Sequence, residues 1–154
     1  MVDPHGMYVV DAGIESPSGV CLSPDQSLLY VCDTRGQFVY SYQIQSDGSL
    51  AAKQRYFHLH EPDGVTSGAD GMTVDTDGRL YVATALGVQF CDQAGRVNGI
   101  IAKPQNKWLA NVVFGGPKFD TLFVTCSDKV YKRKTLATGV LSFQPPIKPE
   151  TPRL

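Results

Sequence analysis

The chain has 154 residues, of which 42% are hydrophobic, and its 14 Lys and Arg against 15 Asp and Glu leave a formal net charge of -1. That is apolar material for one packed domain, with no basic surplus for phosphates, so no nucleic-acid partner is expected. No apolar run approaches the roughly 20 residues of a membrane-spanning helix, and Met1–Gly6 lacks the start of a secretory signal, so no membrane partner is expected and no compartment is indicated.

The 15 Gly and 10 Pro set a turn former about every six residues, which long helices do not survive. The apolar segments between them are short and rich in Val, Tyr and Phe, which points to an all-β chain. In chain order, His5 belongs to the terminus and Met7–Asp11 reads as a single outer strand, detached from any partner in sequence. Ser18–Asp25 followed by Leu28–Asp33 then makes two apolar runs joined by a Pro-Asp turn, and Phe38–Tyr42 and Lys53–Leu59 extend them across Ser46-Asp47-Gly48. The same pattern returns at Asp70–Gly78 with Leu80–Thr84, extended by Gly87–Phe90 and Arg96–Ala102. It returns again at Asn111–Pro117 with Thr121–Cys126, extended by Val130–Arg133 and Val140–Phe143.

The copies start 52 and 41 residues apart, and each carries an aromatic residue (Tyr30, Tyr81, Phe123) 11 or 12 positions after its start. Four strands repeating at that interval are the blade of a β-propeller. The expected architecture is thus a half propeller of about three four-stranded blades, near residues 18–59, 70–102 and 111–143, ahead of a Pro-rich tail over 144–154 that is extended or disordered. Propellers close with roughly four to eight blades. Three blades therefore call for either a missing N-terminal half or a second copy, and the incomplete fragment is the expectation favoured by the detached first strand.

Position one of each copy, at one end of an innermost strand, faces the channel. Ser18, Asp70 and Asn111 occupy it, all with oxygen donors of the kind hard divalent cations prefer. The same residue types also start strands by bonding local backbone; the repeat favours the channel role, most strongly for Asp70. The cysteines Cys21, Cys32, Cys91 and Cys126 form no C-x-x-C pair and stand at no zinc spacing from a histidine, so they read as small buried hydrophobes.

The strings Ala69-Asp70-Gly71-Met72-Thr73-Val74-Asp75, Gly78–Thr84, Leu86-Gly87-Val88-Gln89, Asn111-Val112-Val113-Phe114-Gly115-Gly116-Pro117 and Leu122–Cys126 resemble the C-terminal half of the gluconolactonase, senescence-marker protein (regucalcin) and luciferin-regenerating enzyme family. The resemblance runs over about residues 7–135. It implies a six-bladed propeller that binds one divalent cation on its axis, calcium first and zinc as the alternative, and hydrolyses sugar lactones or related esters. It implies that Asp70 is a metal ligand and the general base. It places Ser18 where the family carries the Asn of a Pro-Asn-Gly motif, here Pro17-Ser18-Gly19. Asn111 falls at the channel mouth, and the remaining ligands, a Glu and an Asn, belong to the N-terminal half.

The expected function is therefore metal-dependent lactone hydrolysis, with a small-molecule lactone as substrate. Asp70 is the catalytic residue, Asp70 and Ser18 are the metal ligands, and Asn111 and Trp108 line the channel or substrate site. Trp108, in the loop before an axial strand, serves as a pocket wall or as packing between blades. The rival expectation is a non-catalytic propeller scaffold or binding module whose metal site is degenerate. Asp75-Thr76-Asp77-Gly78 reads as a hairpin turn, since it lacks the downstream Glu of a calcium loop. His58 and His60 read as an exposed pair on an outer strand, and Lys132-Arg133-Lys134 as a solvated face. No Gly-x-Ser-x-Gly elbow or Gly-rich phosphate loop is present.

Overall fold

The structure is a computed structural model that describes residues 6–141 and 143–151. His5, Ser142 and tail residues 152–154 lie outside the described residues. Eleven strands form three antiparallel sheets, and no helix occurs among the described residues. Sheet one runs β1 (Pro17–Leu22), β2 (Leu28–Asp33), β3 (Phe38–Ile44) and β4 (Leu50–His58), in that spatial order. Sheet two runs β5 (Met72–Val74), β6 (Leu80–Thr84), β7 (Gly87–Cys91) and β8 (Val97–Ala102), and sheet three has β9 (Leu109–Gly115), β10 (Thr121–Cys126) and β11 (Lys129–Lys134). Each sheet is a meander whose neighbours in sequence are neighbours in space, as a propeller blade requires.

Strand alternation explains how the three sheets stack. Along β6, Leu80 and Val82 point into a core shared with sheet one, built on Tyr30, Cys32, Val39 and Phe57. Tyr81 and Ala83 point the other way, into a core shared with sheet three that contains Leu109, Val112, Phe114 and Leu122. Period-two side chains thus let one strand feed two cores, and every residue of β6 is buried. The Tyr81 ring stacks on Phe90 and meets Phe114 edge-on at centroid distances of 5.4 and 5.1 Å.

The inner strands β1, β5 and β9 lie side by side. Gly71 donates its N–H to the carbonyl of Ala110, at the start of β9, at 2.8 Å. On the other flank the backbone of Gly19 runs so close to Asp70 that a Cβ there would fall 2.0 Å from the Asp70 carbonyl oxygen. Any side chain at position 19 would separate the two sheets at this point.

Two expected strands are not formed. Met7–Asp11 has no ladder and lies exposed, with Met7 fully in solvent and Val9 83% accessible. Within it Asp11 is anchored to the Tyr42 hydroxyl and the Lys53 ammonium, both at 2.7 Å. Among the described residues sheet three also has no fourth strand, because the chain after β11 turns back to the end of β5 in sheet two. Gly139 bridges Asp75, and Val140 donates to the carbonyl of Val74 at 3.2 Å. The turn passes against the Phe114 ring, where a Cβ on Gly139 would sit 2.1 Å from that of Phe114, so only glycine lets the segment through. The Pro-rich tail forms no strand over 144–151, yet it is pinned under the sheets: Ile147 donates to the Pro24 carbonyl and Gln93 to that of Glu150, both at 2.8 Å.

The Asp75–Gly78 segment is the hairpin turn between β5 and β6, with Gly78 at φ 78°. His58 and His60 are exposed at the end of β4, where His58 stacks on Phe38 at 4.9 Å. All four cysteines are free; Cys32, Cys91 and Cys126 are fully buried and Cys21 partly so. Burial pushes the Cys21 and Cys32 thiols up to about 11 and the Cys91 thiol up to about 12, which favours the uncharged thiol at all three.

Candidate functional site

The ends of β1, β5 and β9 that lead into the strands gather Ser18, Asp70 and Asn111 around an open depression of about 420 Å³. Asp70 is half-buried, and both of its carboxylate oxygens are engaged. The Ser18 hydroxyl donates to Oδ1 at 2.7 Å, and the Trp108 indole N–H donates to Oδ2 at 3.2 Å. Each oxygen accepts one of these hydrogen bonds, and a carboxylate oxygen has a second lone pair available to a ligand. The carboxylate is thus oriented by two neutral donors from the flanking sheets, with no lysine or arginine among its partners in the described residues.

The backbone under Asp70 is held as firmly as its side chain. Its N–H donates to Ala83 of β6 at 3.0 Å, and its carbonyl accepts the Cys32 thiol, also at 3.0 Å. The same sulfur accepts the N–H of Gly19 at 3.1 Å, so Cys32 ties β1 to the start of β5 directly behind the carboxylate. Thr34 adds a hydroxyl to the Ala69 carbonyl at 2.7 Å. In the sequence Cys32 looks like one more small hydrophobe, and Thr34 carries no pattern that marks it. The signal that could have found them is their position, at the end of the second strand of the first repeat, the level of the blade where the next inner strand begins.

Asn111 joins the depression differently. Its side-chain oxygen accepts the N–H of Val112 at 2.9 Å and lies over Gly71, where a Cβ would come within 1.8 Å of it. No hydrogen bond connects it to Asp70 among the described residues, so it borders the depression beside the Ser18–Asp70–Trp108 cluster. Trp108 is 50% exposed and uses its ring edge against Asp70 while the ring covers Gly68, 3.3 Å from a Cβ placed there.

No group of three or more His, Cys, Asp and Glu side chains stands together to hold a metal among the described residues. What converges here is a carboxylate, a hydroxyl and a nearby amide. These hard neutral and anionic oxygens suit calcium in kind, while calcium takes six to eight ligands and these residues supply fewer.

At the opposite end of β5, Asp75 is completely buried. It accepts the Tyr81 hydroxyl at 2.9 Å, the Arg79 guanidinium at 3.0 Å and the backbone N–H groups of Asp77 and Arg79. Burial, and then the charge and hydrogen bond of Asp75, push the Tyr81 hydroxyl well above the ordinary tyrosine range. This cluster closes the hairpin and leaves no lone pair toward solvent.

Residues 1–128 match the family described as SMP-30/gluconolactonase/LRE-like region. A gluconolactonase of Zymomonas mobilis is 29% identical over 144 residues, which are 90% of this chain and 40% of that protein. A pentonolactonase of Haloferax volcanii is 33% identical over 119 residues, 75% of this chain and 40% of that protein. Among solved structures, the calcium-binding protein regucalcin of Agrobacterium tumefaciens superimposes with a TM-score of 0.70 at 19% identity, covering 90% of this chain and 52% of that one. The chain thus spans about two fifths of the length of the lactonases it matches. Its three sheets are part of a propeller of the six-bladed type. No helix among the described residues is long and apolar enough to cross a membrane. By the profile that covers most of its length, the chain belongs to the SMP-30, gluconolactonase and luciferin-regenerating enzyme family.

Proposed function

We propose that this chain forms part of a divalent-cation-dependent hydrolase of sugar lactones or related esters, and that Asp70 is its proton acceptor. The observation that carries the reading is the Asp70 carboxylate itself. It is half-buried at the head of an inner strand, oriented on both oxygens by Ser18 and Trp108, and open toward a depression large enough for a small ring. The match to two sugar lactonases supplies the substrate class.

In this reading Asp70 and Ser18 would hold the cation, with calcium favoured over zinc by the all-oxygen donor set. A cation bound there supplies charge stabilisation to the oxyanion that develops as the lactone carbonyl is attacked. The chain's own residues do the rest. Asp70 accepts one proton from the attacking water as the new carbon–oxygen bond forms. The ring carbon–oxygen bond then breaks and the departing alkoxide takes the proton held by Asp70, giving the open hydroxy acid and restoring the carboxylate. Trp108 fixes the carboxylate plane through its N–H and presents the rest of its half-exposed ring to an apolar sugar face. Asn111 offers its amide N–H groups to substrate hydroxyls, its oxygen being taken by Val112. The ligands that would complete the coordination shell come from outside the described residues, from a complementary half of the propeller.

The test is lactone hydrolysis followed by acid release while calcium, then zinc, is titrated. The expected result is turnover that saturates with calcium and is lost in Asp70→Asn. Turnover unaffected by Asp70→Asn, or none at saturating metal with the complementary half present, overturns the reading.

A further inference from the structure

The two junctions between sheets are filled differently. Between sheets one and two, the end of β4 and the residue after it lay Tyr56, Phe57 and Leu59 against sheet two, with Phe57 and Leu59 buried. Tyr56 stacks on Tyr30 at 4.9 Å and donates its hydroxyl to the Asp92 carbonyl at 3.0 Å, so its ring closes the outer part of that wedge. Between sheets two and three the same place belongs to β8, where Gly99 and Ile101 stand opposite Phe90 and Val88. Neither carries a ring, and a groove of about 430 Å³ stays open between β8 and β11. Both of its walls belong to the described residues.

The groove has an apolar floor and a cationic rim. Val88, Leu109 and Leu122 are buried at its base, and Ile101 and Val124 are partly buried along it. The register sets Leu122 opposite Arg133 and Val124 opposite Tyr131, which brings Arg133 and Tyr131 to the same face of sheet three as that floor. Lys103 enters from the other wall, just past β8. The connection that carries it is held in place, since the Gln105 amide donates to the Cys126 carbonyl at 2.6 Å and to Asp128 at 3.1 Å. No Asp or Glu lines the groove. The acids nearest along the chain are already paired, Asp128 with Lys107 and Lys129, and Asp120 with Lys134. Lys103 and Arg133 have no ion-pair partner among the described residues.

We infer that this groove binds a monocarboxylate with an apolar chain, of the class of a medium-chain fatty acid. The chain lies on Ile101, Leu122 and Val124, and the carboxylate meets Lys103 and Arg133 at the rim. An alkyl chain on the floor leaves water at no polar cost, while a charge placed there would lose its hydration, so an amphipath with its tail in and its head at the rim satisfies both. The guanidinium fork of Arg133 matches the two oxygens of a carboxylate. An inorganic anion would leave the floor wet, and a neutral lipid would leave both cations unanswered. The volume lies in the range of small-molecule sites. The groove shares no lining residue with the depression at Asp70, so it is a second site and does not rest on the lactonase reading.

Equilibrium dialysis of the full chain against decanoate is expected to show one saturable site per chain, half-filled below about 1 mM. Decanol lacks the charge and inorganic phosphate lacks the chain, and neither should displace decanoate. Absence of saturable binding overturns the inference. Equal binding of decanol, which leaves the cations no part, or displacement by phosphate, which leaves the floor none, also overturns it. Arg133→Gln and Lys103→Gln change side chains that are not buried, and each should weaken binding about fivefold. Arg55→Gln makes the same charge change on sheet one and should leave binding as it was. Val124→Phe fills the groove from within, as Tyr56 fills the other junction, and should abolish binding while the melting temperature holds or rises. Decanoate binding that survives this filling, or that ignores the loss of both Lys103 and Arg133, overturns the assignment to the groove; where Phe is not accommodated, the two charge variants still decide.

Discussion

The two ends of β5 each carry an aspartate, five residues apart, and they behave as opposites. Asp75 is sealed: a phenol, a guanidinium and two backbone amides saturate it, and no part of it meets water. Asp70 has one donor on each oxygen and stays half-open. The difference teaches that local satisfaction separates a carboxylate that holds the fold from one that is free to meet a ligand, and that a short strand can carry one of each. Full saturation uses up the lone pairs that chemistry needs. Partial saturation by neutral donors fixes direction and leaves acceptor capacity.

Removing the sealed end should cost most. Asp75→Ala leaves the buried Tyr81 hydroxyl and two N–H groups without their partner and the Arg79 guanidinium with Asp77 alone, and is expected to destabilise by about 2–4 kcal/mol in denaturant unfolding. Asp70→Asn should leave the unfolding midpoint near wild type and lower lactone turnover by about a hundredfold or more, the range for loss of a general base. A large unfolding effect there, with activity kept, would erase the contrast between the ends.

Gly19→Ala tests the support behind Asp70. The added methyl meets the Asp70 carbonyl, so β1 and β5 must part, at about 1–3 kcal/mol in stability, together with reduced turnover. Trp108→Phe keeps the ring and removes one donor. We expect at most about a tenfold fall in kcat with KM nearly unchanged, and a shift in the pH profile of kcat that a purely structural role would not produce.

The smallest effect concerns acid stability. The Asp92 carboxyl would be raised by burial, but the Arg96 amide and guanidinium and the Ala94 amide outweigh this and hold it below its ordinary 3.8. The hydrogen bond from Lys134 does the same for Asp120. A depressed folded-state value means that the stabilisation is complete above the unfolded value and is lost as pH falls through the folded one. The melting temperature should therefore hold down to about pH 4 and decline below it, with Asp92→Asn flattening part of that decline.

Much of this was legible in the sequence because the repeat is a physical unit. The Leu-aromatic-Val runs at Tyr30, Tyr81 and Phe123 all became second strands, β2, β6 and β10. The repeat alignment alone places Ser18, Asp70 and Asn111 on or just ahead of neighbouring inner strands. What the sequence hid depended on contacts between distant positions. Trp108 lies 38 residues from Asp70, and nothing in its neighbours foretells the N–H bond between them. Cys32 has the composition of a core residue and the position of a tie. The strand expected over Val140–Phe143 had the right residues, but Gly139 permits a tight passage under Phe114 and sends the backbone to β5 instead.

The burial of β6 on both faces also bears on how the chain folds and breathes. Its amides sit between two cores with no exposed residue, so they should be the slowest in the molecule to exchange with deuterium. The flanking sheets, each with one open face, should exchange sooner by sub-global opening. β6 joins two otherwise separate hydrophobic clusters. A cavity made there, as in Val82→Ala, is therefore expected to loosen both clusters together and to couple protection at Phe57 with protection at Leu122.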